Sequence, residues 1–226
     1  MKFEEVINLL KKLTPKSIFL YGSQVNKNTN SKSDYEIGII FEDEKYISRS
    51  AIKKLIPDNK YAVYPFKLNE LKSYNIDTPF QQNIYILSLI SGNAKTIYGD
   101  ITIETLTPPE ISVMDLLMDI SFNLGYALTA VRVMRTGNKD LANELMYKSM
   151  FYTTRNMLYA KTGKIINGYN NIYKEALKLN IPAEYQDLLE ASFNLRNETI
   201  KEIPSSLYYK NISYINKYAI PILKKS

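Results

Sequence analysis

The sequence predicts an α+β fold in which a small mixed sheet with helices is followed by an all-α bundle. In the first hundred residues, short apolar runs near 17–21, 34–41 and 61–66 have the length and boundaries of strands. Beyond residue 110 the apolar residues recur at helical spacing, and no further strand-like runs are predicted. The predicted organisation is a domain over 1–100, a linker over 101–109 around Thr107-Pro108-Pro109, and a helical bundle over 110–226.

In the first half of the chain, periodicity and turn residues predict the helices and strands. Phe3, Val6, Ile7 and Leu10 recur at helical spacing before Pro15, which predicts a first helix over 3–13. Further elements are predicted as strands over 17–21, 34–41 and 61–66, helices over 45–56 and 80–91, a helical turn over 68–73, and an extended piece over 95–99.

The second half predicts a series of helices separated by glycine and proline. Ser112 and Asp115 form a capping box for a helix that runs to Gly137-Asn138. Helices are predicted over 139–162, 170–179, 184–202 and 205–224, with Pro182 and Pro204 as breaks.

Composition excludes several kinds of chemistry. The chain has no cysteine and no histidine, so thiol catalysis, disulfides and imidazole acid–base chemistry are ruled out. The net charge of +6 tilts the protein mildly toward anionic partners. No apolar run of about 18 residues is present, and the start of the chain is typical of neither a signal nor a transit peptide. We therefore expect a cytoplasmic protein without a membrane partner.

The strongest local pattern joins a Gly-Ser turn to two acidic residues. Gly22-Ser23 ends an apolar run, ten polar residues follow, and Asp34-Tyr35-Glu36 opens the next predicted strand. Strand alternation places Asp34 and Glu36 on one face, where adjacent carboxylates favour a divalent cation such as Mg²⁺ or Mn²⁺. Gly22 and Ser23 can offer backbone N–H groups and a hydroxyl to phosphates. The alternative is a hairpin-like turn followed by two solvent-facing acids.

This pattern resembles the nucleotidyltransferase superfamily that includes DNA polymerase beta and kanamycin nucleotidyltransferase, with the spacing of its minimal group. The resemblance implies a polymerase-beta-like domain that binds a nucleoside triphosphate. It also implies transfer of a nucleoside monophosphate, AMP from ATP, to a hydroxyl acceptor on a small molecule or a protein. Asp34 and Glu36 would be catalytic metal ligands, Gly22 and Ser23 would hold the triphosphate, and Lys27 or Lys32 would be further phosphate partners.

The sequence departs from this family in its third acid. Many members place another carboxylate on the next core strand, but residues 61–66 contain none. The acceptor base is predicted to be Glu70, with Asp58 and the bundle acids Asp115 and Asp119 as alternatives. A second interpretation is a degenerate enzyme that binds nucleotide without turnover.

The helical half resembles HEPN domains, which are small bundles often encoded beside minimal nucleotidyltransferases. The resemblance rests on the segment 149–163 and on Arg196-Asn197, but Lys201 stands where HEPN ribonucleases have histidine. RNA cleavage is therefore not expected, and Arg196 is predicted to be structural. The resemblance also implies a possible homodimer. The competing function is an RNA- or protein-binding regulatory protein of toxin–antitoxin type.

Overall fold

The computed structural model describes residues 1–26, 29, 33–78 and 80–225. The chain divides into two compact units, Met1–Glu110 and Ile111–Ser226. The first unit contains a four-stranded mixed sheet with helices and the second is helical, which confirms the predicted fold class.

The first unit follows the predicted order of helices and strands. Its regular elements are α1 (Phe3–Lys11), β1 (Ser17–Tyr21), β2 (Tyr35–Phe41), α2 (Arg49–Leu55), β3 (Tyr61–Lys67), α3 (Leu68–Lys72), α4 (Gln82–Ser88) and β4 (Ala94–Gly99). A 3₁₀ turn at Gly22–Gln24 follows β1, and a π-helical turn at Leu89–Asn93 joins α4 to β4.

The sheet has the order β3-β2-β1-β4. Strand β1 is antiparallel to both β2 and β4, whereas β2 is parallel to β3. Glu36 pairs with Tyr21 on one side and with Ala62 on the other. The C-terminal end of β1 therefore meets the N-terminal ends of β2 and β3 at one edge of the sheet.

Both faces of the sheet are buried, because its strands carry apolar residues at alternate positions on each side. One face packs on α1 and α2 through Ile18, Ile37, Ile39, Phe41 and Val63. The opposite face packs on α3, α4 and the turn after α4 through Phe19, Tyr21, Ile40, Phe66 and Leu71. Helix α2 connects the parallel strands β2 and β3 and packs on the first of these faces through Ile52.

Residues 101–109, predicted as a linker, make several contacts within the first unit. Ile103 is fully buried in the core beneath the sheet. Glu104 accepts hydrogen bonds from the backbone N–H and the hydroxyl of Thr96, each at 2.7 Å. The Tyr74 hydroxyl donates to the carbonyl of Thr107 at 2.8 Å. The two prolines that predicted a linker instead follow a docked segment.

The second unit contains two long helices and several shorter ones. Its elements are α5 (Val113–Arg135), α6 (Lys139–Thr162), α7 (Tyr169–Ala176), α8 (Ala183–Arg196), α9 (Ser205–Ser213), a π-helical segment at Tyr214–Ala219, and α10 (Ile220–Leu223). Ser112 caps α5 by accepting from the N–H of Asp115, as the capping box predicts.

The helix predicted over 184–202 is shorter in the structure. Helix α8 ends at Arg196, and Glu198 adopts a φ of +59°. Left-handed residues end helices, but the usual glycine signal is absent from this sequence. Arg196 is 6% exposed, and its guanidinium lies 4.9 Å from the centre of the Tyr169 ring. Its burial agrees with the structural role predicted for it.

A polar cluster lies inside the second unit between α5 and α6. Asp119 is 3% exposed and accepts hydrogen bonds from Asn156 at 2.7 Å and Asn123 at 3.4 Å. The guanidinium of Arg155 lies 3.7 Å from the same carboxylate oxygen. Among the described helices, α5 alone is long and apolar enough, by length and composition, to cross a membrane. Its buried side packs against α6, as in the core helix of a bundle.

Buried tyrosines of the second unit predict a loss of stability at alkaline pH. Burial, with the nearby charge of Glu144, raises the pKa of Tyr147 to about 12, and burial also raises the pKa of Tyr169 and Tyr214. An unfolded tyrosine has a pKa of about 10, so these groups stabilise the fold fully below pH 10. We expect the free energy of unfolding to fall as pH rises from about 10 to 12, measured by denaturant titration. In Tyr147→Phe this dependence should be shallower, and an unchanged slope would contradict the prediction.

Candidate active site

The turn after β1 places its backbone directly against a carboxylate. Gly22 has a φ of +73°, which glycine adopts without strain. A Cβ built on Gly22 would lie 1.9 Å from Oε2 of Glu36. The Gly22 carbonyl accepts from Nδ2 of Asn26 and from the N–H of Val25, each at 3.2 Å, so the turn is held in this position. Any side chain here would displace the Glu36 carboxylate from the turn.

The two predicted metal ligands lie at the same edge of the sheet as this turn. Glu36 is half-buried in β2, between Tyr21 and Ala62. Asp34 is exposed and lies one residue before the strand, and its carbonyl accepts from Nε2 of Gln24 at 3.4 Å. The structure therefore brings together Gly22, Ser23, Asp34 and Glu36, all from the sequence pattern.

Tyr21 forms the apolar side of this arrangement. Burial raises the pKa of Tyr21 well above its usual value, and the neighbouring Tyr85 and Glu36 raise it further. The Tyr85 hydroxyl donates to the Tyr21 oxygen at 3.3 Å. Tyr21 therefore remains neutral at physiological pH, and the negative charge at this edge belongs to the carboxylates.

The donor set fits a divalent cation that is completed by a substrate. Within the described residues, no three acidic side chains come together as a metal cage. Mg²⁺ commonly binds through one or two carboxylates together with substrate phosphates. Asp34 and Glu36 provide that number of hard oxygen ligands beside a turn with backbone N–H groups.

Glu70, predicted as the acceptor base, is not brought to this site. Phe41 pairs with Lys67 at the far end of the two parallel strands, whereas Glu36 pairs with Ala62. Glu70 follows that far end and caps α3, accepting from the Lys67 N–H at 3.1 Å. This placement has a physical reason, because in parallel strands the residues after β3 lie at the opposite end from the start of β2.

The alternative acids also have structural partners in the units where they lie. Asp58 pairs with the N-terminal ammonium at 3.1 Å. The pKa of Asp58 is lowered mainly by a hydrogen bond from the Lys60 N–H, and further by the bond from this ammonium. Asp115 caps α5, and Asp119 is enclosed by Asn123, Asn156 and Arg155. These contacts explain the three acids without a catalytic role.

Replacement of Glu70 tests whether this residue takes part in transfer. We expect Glu70→Gln to leave nucleotidyl transfer unchanged, because the residue lies away from the carboxylate pair and glutamine still caps a helix. Stability should fall by about 1 kcal/mol or less. The check is the transfer rate measured alongside thermal unfolding. A tenfold loss of rate in a folded variant would restore Glu70 as a catalytic candidate.

Lys27 and Lys32, predicted as phosphate partners, lie outside the described residues. The structure adds a feature that the sequence did not indicate, a cavity of about 420 Å³ beside β3. Its polar lining comes from Asp34, Arg49, Lys53, Asn59 and Tyr64. Arg49 and Lys53 of α2 belong to no sequence motif. Only the position of α2 beside β3 identifies them as lining residues of the cavity.

Comparison with known proteins identifies the family of the first unit. Residues 2–97 match the family described as the nucleotidyltransferase domain. The first unit is therefore a nucleotidyltransferase domain, and the protein is an enzyme of the transferase class. This confirms the resemblance drawn from Gly22, Ser23, Asp34 and Glu36 at the level of the domain. No curated protein sequence matches the chain.

The whole chain also resembles a solved structure. Spectinomycin adenyltransferase from Enterococcus faecialis, solved with ATP and spectinomycin, aligns with a TM-score of 0.63 at 15% identity. The alignment covers 97% of this chain and 100% of that chain. At this identity the similarity concerns the fold. A nucleotidyltransferase-like protein from Exiguobacterium sibiricum aligns over 100% of this chain and 81% of its own at 12% identity, with a TM-score of only 0.31.

Proposed function

We propose that the protein is a Mg²⁺-dependent nucleotidyltransferase that moves AMP from ATP to a hydroxyl on a small molecule or protein. The observation that carries the proposal is the contact between Gly22 and Glu36, with Asp34 beside it. A glycine turn pressed on a carboxylate at a sheet edge places phosphate donors next to metal ligands. The family match of this unit supports transfer of a nucleotide in general.

Each residue of the site has a separate task in this proposal. The turn Gly22–Gln24 holds phosphate oxygens through its backbone, with the Ser23 hydroxyl as an additional donor. Asp34 and Glu36 hold the divalent ion. When bound, such an ion neutralises phosphate charge and makes a hydroxyl easier to deprotonate. Tyr21 stays neutral and lies opposite Glu36 on the neighbouring strand.

The proposed reaction is an in-line displacement at phosphorus. The acceptor oxygen forms a bond to the α-phosphorus, and the bond from that phosphorus to the α–β bridging oxygen breaks. Pyrophosphate leaves with the electron pair. The hydroxyl proton passes to water, because the described residues place no third carboxylate beside Asp34 and Glu36. Positioning and charge neutralisation supply the rate enhancement in such a site.

The choice of ATP is supported by the similar fold that was solved with ATP. Calorimetric titration of each of the four ribonucleoside triphosphates, with and without Mg²⁺, tests both the metal and the base. We expect ATP to bind only with metal, and about tenfold more tightly than the others. Equal binding without metal, or failure of every nucleotide to bind, would contradict the proposal.

A further inference from the structure

The cavity beside β3 lies on a defined side of the carboxylates. In the sheet order, the phosphate-binding turn follows β1, the pair belongs to β2, and the cavity borders β3. Asp34 is itself part of the cavity wall, and so is Ala62, the strand partner of Glu36. The carboxylates therefore separate the turn from the cavity.

In-line displacement needs the acceptor to approach from the side opposite the leaving pyrophosphate. If the turn Gly22–Gln24 holds the leaving phosphates, the acceptor approaches from the β3 side. We propose that the cavity binds the acceptor, and that the acceptor is a small hydroxyl compound with a phosphate or carboxylate group. This inference rests on the proposed function of the same site.

Two cations of α2 give the cavity its charge. The Arg49 guanidinium lies 4.1 Å from the centre of the Tyr64 ring. The ring contacts the flat face of the guanidinium, so the N–H groups at the guanidinium edge can bind a ligand. No acid of the described chain pairs with Arg49. Lys53 donates to Asn59 at 2.8 Å and to the carbonyl of Pro57 at 3.3 Å, both neutral acceptors. Both side chains thus keep an uncompensated positive charge at the cavity.

The remaining lining favours a small molecule over a protein segment. Asp34 is the only acid among the described lining residues, and the proposed metal occupies it. Ile52, Ile56 and Val63 also line the cavity but are buried in the core, so the wall that a ligand meets is mainly polar. A volume of about 420 Å³ falls in the range of pockets for small ligands. An ammonium-bearing acceptor would meet two positive charges, so the cavity selects against it.

The test compares three ligands of one size that differ in charge. Glucose 6-phosphate, glucose and glucosamine are titrated by calorimetry into the full chain saturated with Mg²⁺ and a non-hydrolysable ATP analogue. The first titration, of the ATP analogue itself, reports on the proposed function alone. We expect glucose 6-phosphate to bind at least about tenfold more tightly than the other two. We expect the double variant Arg49→Gln and Lys53→Gln to lose that difference while it still binds the ATP analogue.

The matched control is Lys45→Gln with Lys54→Gln, which removes the same charge from exposed positions outside the cavity lining. It should bind glucose 6-phosphate as the unchanged protein does. Three results would overturn the inference: no preference for the phosphate ester, an equal loss in the control, or competition between glucose 6-phosphate and the nucleotide. The last would assign Arg49 and Lys53 to the nucleotide phosphates. Failure of the ATP analogue to bind would instead overturn the proposed function, and this inference with it.

Discussion

Replacing Asp34 and Glu36 together by alanine is expected to abolish nucleotidyl transfer while the fold is kept. Asp34 is exposed and Glu36 is half-buried, so neither truncation opens a cavity in the core. Loss of groups that merely orient metal ligands costs about 10–100-fold, so loss of both ligands should cost at least about a hundredfold. The measurement is release of pyrophosphate and transfer of labelled AMP, with metal-dependent ATP binding measured in parallel.

A second acidic pair serves as the control for this experiment. Glu44→Ala with Glu110→Ala removes the same charge from exposed positions, and Glu44 follows the opposite end of β2 from the site. The Glu44 and Glu110 variant should retain the full transfer rate, which separates the effect of the site from that of net charge. Survival of transfer in the Asp34 and Glu36 double variant would show that the active site has been wrongly assigned.

Gly22→Ala is expected to impair both stability and activity. Alanine is strained in the left-handed backbone conformation of residue 22, where φ is +73°. Its Cβ would also lie 1.9 Å from the Glu36 carboxylate. Backbone strain of this kind costs about 1–3 kcal/mol, and the clash must be relieved by moving Glu36 or the turn. We expect the first unit to lose about 2 kcal/mol or more, and transfer to fall at least tenfold, because phosphate donors and metal ligand no longer fit together.

Gly92→Ala separates strain from steric contact. Gly92 has a φ of +81°, but a Cβ there would meet nothing within 4 Å. This variant should lose about 1 kcal/mol from the backbone alone and keep its transfer rate. If Gly22→Ala and Gly92→Ala behave alike by thermal unfolding and by rate, the contact between Gly22 and Glu36 has no functional weight.

The sequence predicted the parts of the site that are close together along the chain. Gly22 and Glu36 lie at the ends of adjacent antiparallel strands, so their proximity follows from one turn and from strand alternation. The two long helices α5 and α6 were also predictable, because Ser112, Gly137 and Gly163 mark their boundaries.

The parts that depend on distant contacts were not predictable. The parallel direction of β3 beside β2 places Glu70 at the far end of these strands, and no local signal sets that direction. Arg49 became a site candidate only because the crossover of α2 places it over Tyr64. Residues 101–109 appeared to be a linker from their prolines, but burial of Ile103 is a tertiary contact.

The most direct test of the account is a crystal structure of the full chain grown with Mn²⁺ and a non-hydrolysable ATP analogue. Anomalous scattering locates the metal independently of any interpretation of the site. We expect a metal bound by Asp34 and Glu36, with the phosphates on the backbone N–H groups of Gly22–Gln24 and the α-phosphate facing the cavity beside β3. A metal bound to other residues, or phosphates placed away from this turn, would contradict it.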